Sequence, residues 1–134
     1  MSIVRILAAS CASLALLAGS AQALAGDVFV IGNAVTLTPD DIKDVYLGEK
    51  QIVGGTKLVP LDNASLQKDF LEKVVKLDAA KYGSVWTKKG FRDGLTAPAV
   101  KNSDAEVIVV VKATAGAVGY VSAAPAGVTV LQKF

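Results

Sequence analysis

The chain has 134 residues, a formal net charge of +2, no histidine and a single cysteine. A near-neutral balance gives no electrostatic case for nucleic acid or for an anionic membrane surface. Without histidine the commonest general base and metal ligand are missing, so Ser-His and Cys-His nucleophile systems and zinc sites are excluded; no catalytic residue, metal site or cofactor is expected.

The first segment reads as an export signal. Met1 to Arg5 carries a positive charge, Ile6 to Leu17 is apolar, and Ala21-Gln22-Ala23 has the small-x-small form of a cleavage site. The apolar run is shorter than the about 20 residues that span a bilayer, which places an uncleaved anchor second. Cys11 as a lipid attachment point is disfavoured, because hydrophobic signal continues beyond it to Leu17. Cleavage after Ala23 leaves residues 24–134 as one domain without cysteine, periplasmic or secreted, with no membrane insertion after cleavage.

Asp27 to Ile31 is a compact β-branched and aromatic run, expected to be a strand. Thr38 fits a helix N-cap, Pro39 the first helical position, and Asp40 and Asp41 the positive end of the dipole. Ile42, Val45 and Tyr46 share a face and Gly48 ends the segment, so a helix is predicted over 39–47. Gly54-Gly55 marks a turn, Lys57 to Leu61 a short strand, and Asp62 or Asn63 a cap for a helix whose stripe is Leu66, Phe70, Val74 and Leu77. Asp78 caps a further helix over about 79–89 that carries Tyr82 and Trp86, with loop from Gly90 to Pro98.

Ser103 to Ala115 carries conflicting signals. Glu106 to Val111 has strong β propensity. Yet Ser103 and Glu106 form an S-x-x-E capping box, and Gly116 sits where a helix would stop. The boundary signals favour a helix, followed by strands at Ala117–Ser122 and Val128–Leu131. Alternating strands and helices predict an α/β domain with a central sheet flanked by helices.

Five segments, in order, resemble the second half of the substrate-binding proteins of phosphate ABC importers. They are Asp41 to Gly48, Leu58 to Leu61, the Phe70-Leu71/Val74 helix face, Trp86 with Phe91 and Gly94, and Gly116 to Val121. The resemblance implies one lobe of a type 2 periplasmic-binding-protein fold with a mixed sheet, in a chain too short to contain the first lobe as well. In that family two lobes close over an oxyanion held by backbone N–H groups, hydroxyls and an arginine.

The corresponding turn here is Leu61 to Ser65, where the family's arginine and glycines are missing. The carry-over is therefore limited to Asn63, Ala64 and Ser65, as backbone donors and one hydroxyl for phosphate or another oxyanion; helix capping by Asn63 and Ser65 is the competing use of the same residues. Asp62 would repel an anion if it pointed inward. Tyr46, Trp86 and Tyr120 fit core better than cleft, Asp40-Asp41 a dipole complement and Lys88-Lys89 a solvated helix end.

The functional expectation is a non-enzymatic, solute-binding-protein-like domain linked to phosphate binding or transport, partnered by an envelope transport protein or by a second copy of itself. The alternative is an interaction module that kept the fold and lost the ligand.

Overall fold

The computed structural model describes residues 26–134; the expected signal, its cleavage site after Ala23 and Cys11 lie outside them. Seven strands and four helices follow in the order β1 (Phe29–Gly32), α1 (Pro39–Tyr46), β2 (Ile52–Val53), β3 (Thr56–Lys57), β4 (Val59–Asn63), α2 (Gln67–Phe70), α3 (Ala79–Asp93), β5 (Ala99–Lys101), α4 (Asp104–Ala113), β6 (Ala117–Val121) and β7 (Thr129–Lys133). A π-helical turn, Leu71–Val75, continues α2. Five strands form one mixed sheet in the order β5-β4-β6-β1-β7. β4 runs parallel to both β5 and β6, while β1 runs antiparallel to β6 and β7. The expected α/β architecture with a helix-flanked mixed sheet is the one observed.

Strand alternation sorts the core into two clusters. Along β6, Val118 and Tyr120 point to the face covered by α1, the π-turn and α3, where they meet Ile42, Val45, Tyr46, Phe70, Val74 and Trp86. Ala117 and Val121 point the other way, joining Ile31 and Leu61 under Val107 and Val111 of α4. Between them Gly119 faces α4: a Cβ there would lie 2.4 Å from Val107 Cγ1, so only glycine lets α4 sit this close. Gly116 turns the chain into β6 at φ +88°, and a Cβ on it would meet the Lys57 carbonyl oxygen at 2.2 Å.

Local signals decide α1. Thr38 Oγ1 accepts from the Asp41 N–H at 3.1 Å and the Asp41 carboxylate accepts from the Thr38 N–H at 3.0 Å, a complete capping box. The same logic resolves the conflict at 103–115. Ser103 caps α4 by accepting from the Glu106 N–H, and Glu106 reaches back to the Asn102 N–H rather than to that of Ser103. Two satisfied N-terminal donors and an apolar face on the sheet outweigh the β propensity of the valines.

Four expectations are corrected. Gly54-Gly55 is a turn as expected, closing a small β2–β3 hairpin, but the strand expected over Lys57–Leu61 is divided between β3 and β4. β4 continues to Asn63, because Leu61, Asp62 and Asn63 pair with β5. Neither Asp62 nor Asn63 is therefore the helix cap; α2 begins after Leu66 without a side-chain cap. Its stripe turns through a π-helical segment that ends on Lys76 at φ 65°. Finally, α3 is capped by Asp78 as expected but runs past Gly90 to Asp93, stopping at Gly94 in the left-handed region.

Candidate functional site

The crossover from β4 to β5 passes over one face of the sheet through α2, the π-turn and α3, and the crossover from β5 to β6 passes over the other face through α4. Connections that leave neighbouring parallel strands toward opposite faces open a crevice at their carboxyl ends, where ligands of such sheets bind. Asn63 ends β4 at that crevice with Ala64 and Ser65 after it, Ser103 and Asp104 follow β5, and Ser122 follows β6.

The structure brings the three expected residues together and also supplies each with a partner. Asn63 is 0 % exposed. Its Nδ2 donates to Asp104 Oδ1 at 2.7 Å and to the Tyr120 carbonyl at 2.9 Å. Its Oδ1 accepts from the Ser65 N–H at 3.1 Å and from Ser65 Oγ at 2.6 Å. An amide side chain has two donors and two acceptor lone pairs, so Asn63 is saturated. The Ala64 N–H donates to the Lys101 carbonyl at 2.8 Å.

Asp104 completes the bracket, its Oδ2 accepting from Ser122 N–H at 3.0 Å and Ser122 Oγ at 2.6 Å. Partial burial works against its ionisation, but the Ser122 hydroxyl, the Ser122 N–H and the Asn63 amide outweigh it and hold the carboxyl below the usual aspartate range. An anion already sits among the donors of this edge, and it is a side chain of the chain itself. Sequence reasoning missed Asp104 and Ser122. Asp104 reads as a first-turn acid beside the Ser103 cap, and nothing local signals that Ser122 will lie next to it.

Asp62 does not face this crevice. One residue before Asn63 on a strand, it points to the opposite face. It is 1 % exposed there and accepts from Tyr120 Oη at 2.7 Å and Tyr82 Oη at 2.8 Å. Burial pushes its carboxyl up, and the two phenol donors pull it part of the way back. The tyrosines shift upward as well, through burial and then through the nearby Asp62 charge. Tyr46 belongs to the same layer, with Oη donating to the Leu61 carbonyl at 2.7 Å, while Phe70 stacks on Tyr120 with ring centroids 3.8 Å apart. Trp86 donates from Nε1 to the Tyr46 carbonyl at 3.0 Å. These aromatics are core, as their sequence context implies.

A cleft of about 670 Å³ lies beside this edge, lined by Ala64, Gln67, Lys68, Leu71, Lys76 and Ala79 among others. Of the three expected residues only Ala64 reaches it. Among the described residues no three His, Cys, Asp or Glu side chains gather as a metal site would need, and no helix is long and apolar enough to cross a membrane.

No family model and no curated protein matches the chain. Among solved structures it is similar to an ABC-type phosphate transport receptor from Vibrio cholerae, with 18% sequence identity, a TM-score of 0.49, and coverage of 80% of this chain and 46% of the receptor. The chain thus spans a little under half of that receptor's length.

Proposed function

We propose that the chain is a periplasmic or secreted, non-enzymatic domain of the solute-binding-protein kind, linked to the binding or transport of phosphate or a related oxyanion. The five-segment resemblance, in its order, carries this reading. Its segments fall on α1, β4, the α2–π-turn helix, α3 and β6, and of these β4 and β6 end at the carboxyl edge. Asn63, Ala64 and Ser65 are the residues that would meet the ligand. An oxyanion there exchanges with existing partners of Asn63, Ala64 and Ser65 in an edge open to water, where each charge-assisted bond is weakened by the high local dielectric. The affinity expected is roughly millimolar.

Isothermal calorimetry with phosphate, sulfate and pyrophosphate tests it. Saturable heat with phosphate that falls on Ser65→Ala is the expected result. No heat from any of the three at millimolar ligand overturns the solute-binding reading.

A second reading is an interaction module that kept the fold and gave up the ligand. The saturation of Asn63 and the presence of the Asp104 carboxylate among the donors favour it. Crosslinking in the intact envelope, with recovery of a transport protein bound to this chain, is its expected signature; phosphate heat without such a complex overturns it.

A further inference from the structure

Acids at the other helix starts serve their own helix. Asp41 accepts from the Thr38 N–H and Asp78 from the Lys81 N–H. Asp104 departs from this pattern. It is the first residue of α4, yet among the described residues the hydrogen bonds to its carboxylate all come from other elements. Asn63 Nδ2, at the end of β4, reaches Oδ1, while the N–H and Oγ of Ser122, just past β6, reach Oδ2. Among the described residues Asp104 makes no ion pair. Neutral donors from two neighbouring parallel strands therefore converge on one carboxylate, at the carboxyl edge where sheets of this kind bind ligands.

We propose that Asp104 is a tethered ligand: its carboxylate fills an oxyanion cradle made by Asn63 and Ser122, and an external oxyanion enters only in exchange for it. The inference deepens the oxyanion reading of this edge and rests on it for the class of ligand. That class is an anion with a pair of oxygens on one centre, a small carboxylate or inorganic phosphate, because such a pair is what the donors already hold.

The cradle is held in place by groups other than Asp104. Ser65 donates its N–H and its hydroxyl to Asn63 Oδ1, which turns the Nδ2 end toward Asp104. The second Nδ2 bond, to the Tyr120 carbonyl, ties the amide to β6. Ser122 follows directly on β6, a strand buried along its whole length. The donors therefore keep their places when the carboxylate leaves. Ser122 is exposed and Asp104 half-buried, so small anions reach the cradle from water. The donors outweigh the partial burial of Asp104 and keep it charged. A group on the same chain also competes at a higher effective concentration than a dilute dissolved anion. The parent's affinity for an external anion is thus reduced in proportion to the fraction of molecules whose cradle is free.

Asp104→Ala removes Cγ, Oδ1 and Oδ2, the same set of heavy atoms that formate supplies. Thermal melts of this variant and the parent in sodium formate, sodium phosphate and sodium chloride at matched ionic strength test the proposal. Formate or phosphate should raise the Tm of Asp104→Ala above its value in chloride and leave the parent nearly unchanged. The variant's affinity for that anion should exceed the parent's by about tenfold or more. In an NMR titration of the variant, the Ser122 N–H and Asn63 side-chain signals should move together, and adding Ser122→Ala should weaken the effect. If Asp104→Ala is unfolded in chloride, recovery of its circular dichroism in formate or phosphate is the same readout. Anions that stabilise Asp104→Ala no more than the parent overturn the proposal, as do signals that move elsewhere than at residues 63 and 122. Calorimetry on the parent separates this from the oxyanion reading. Phosphate heat in the parent with no gain in Asp104→Ala sinks the tether alone; a gain in Asp104→Ala without heat in the parent sinks native solute binding and leaves the tether standing.

Discussion

The two faces of the sheet are held by different means. One lies under α1, the π-turn and α3, and packs aromatic rings around a buried carboxylate: Tyr46, Phe70 and Tyr120 stack or meet edge to face, and Tyr82 and Tyr120 both donate to Asp62. The other has a single aliphatic helix over Ile31, Leu61, Ala117 and Val121. The first face is thick and specific, since its polar groups accept only particular partners. The second is thin, and its covering helix keeps an apolar outer side. The comparison teaches that the sheet is finished on one side and only half-covered on the other.

Substitutions can break this contrast in graded steps. Phe70→Ala on the aromatic face should cost the most, about 3–5 kcal/mol in chemical denaturation, because it opens a cavity against Tyr46 and Tyr120. Val111→Ala beneath α4 should cost about 2 kcal/mol, a smaller volume lost from a smaller cluster. Val109→Lys, two residues away but on the outer side, should change monomer stability by no more than about 0.5 kcal/mol. An equal loss from Val111→Ala and Val109→Lys would show that the outer side is not a free surface of the folded monomer.

A pH titration sharpens the same contrast. Because burial raises the Asp62 carboxyl above its unfolded value, the folded state holds that proton more tightly than the unfolded one. The contribution of Asp62 is therefore largest below the ordinary aspartate range and is lost as pH rises through the elevated folded value. Asp104 and Asp41 are lowered and have the opposite sign. The stability difference between the parent and Asp62→Asn isolates the buried group, and this difference should shift in favour of the parent as the pH falls from neutral. A difference independent of pH would mean that Asp62 carries no raised affinity for its proton.

The elements that sequence reasoning placed well are those settled by neighbours along the chain. α1 is written in Thr38, Pro39, Asp41 and Gly48, all within one short segment, and α4 in Ser103 and Glu106 against the valines between them. What it placed poorly depends on distant pairing. Asp62 and Asn63 look like caps until β5 extends β4 alongside them, and Gly90 looks like a stop until Gly94 takes the left-handed position. The π-turn adds one residue to a helical register that the Leu66, Phe70, Val74 and Leu77 stripe tolerates either way. At the candidate site motif order points to residues 63–65 within an expected turn at 61–65, of which 61–63 are strand, and gives no sign of the side chains that surround them. Asp104 and Ser122 stand 41 and about 59 residues beyond Asn63, and only the assembled parallel strands bring them to it.

The position of β1 has a kinetic consequence. It lies inside the sheet between β6 and β7, and the Val28 and Phe134 backbones exchange hydrogen bonds at 2.9 and 2.8 Å. Among the described elements an inner strand thus comes first in chain order and its two neighbours last. Until the final seventeen or so residues exist, that strand has two bare edges and nothing local to pair with. Removing β7 would leave β1 paired with β6 alone and bare one of its edges, and a permutant that links residue 134 to residue 26 and opens at the Gly54-Gly55 turn, so that β1 follows both its neighbours, should fold sooner than the natural order.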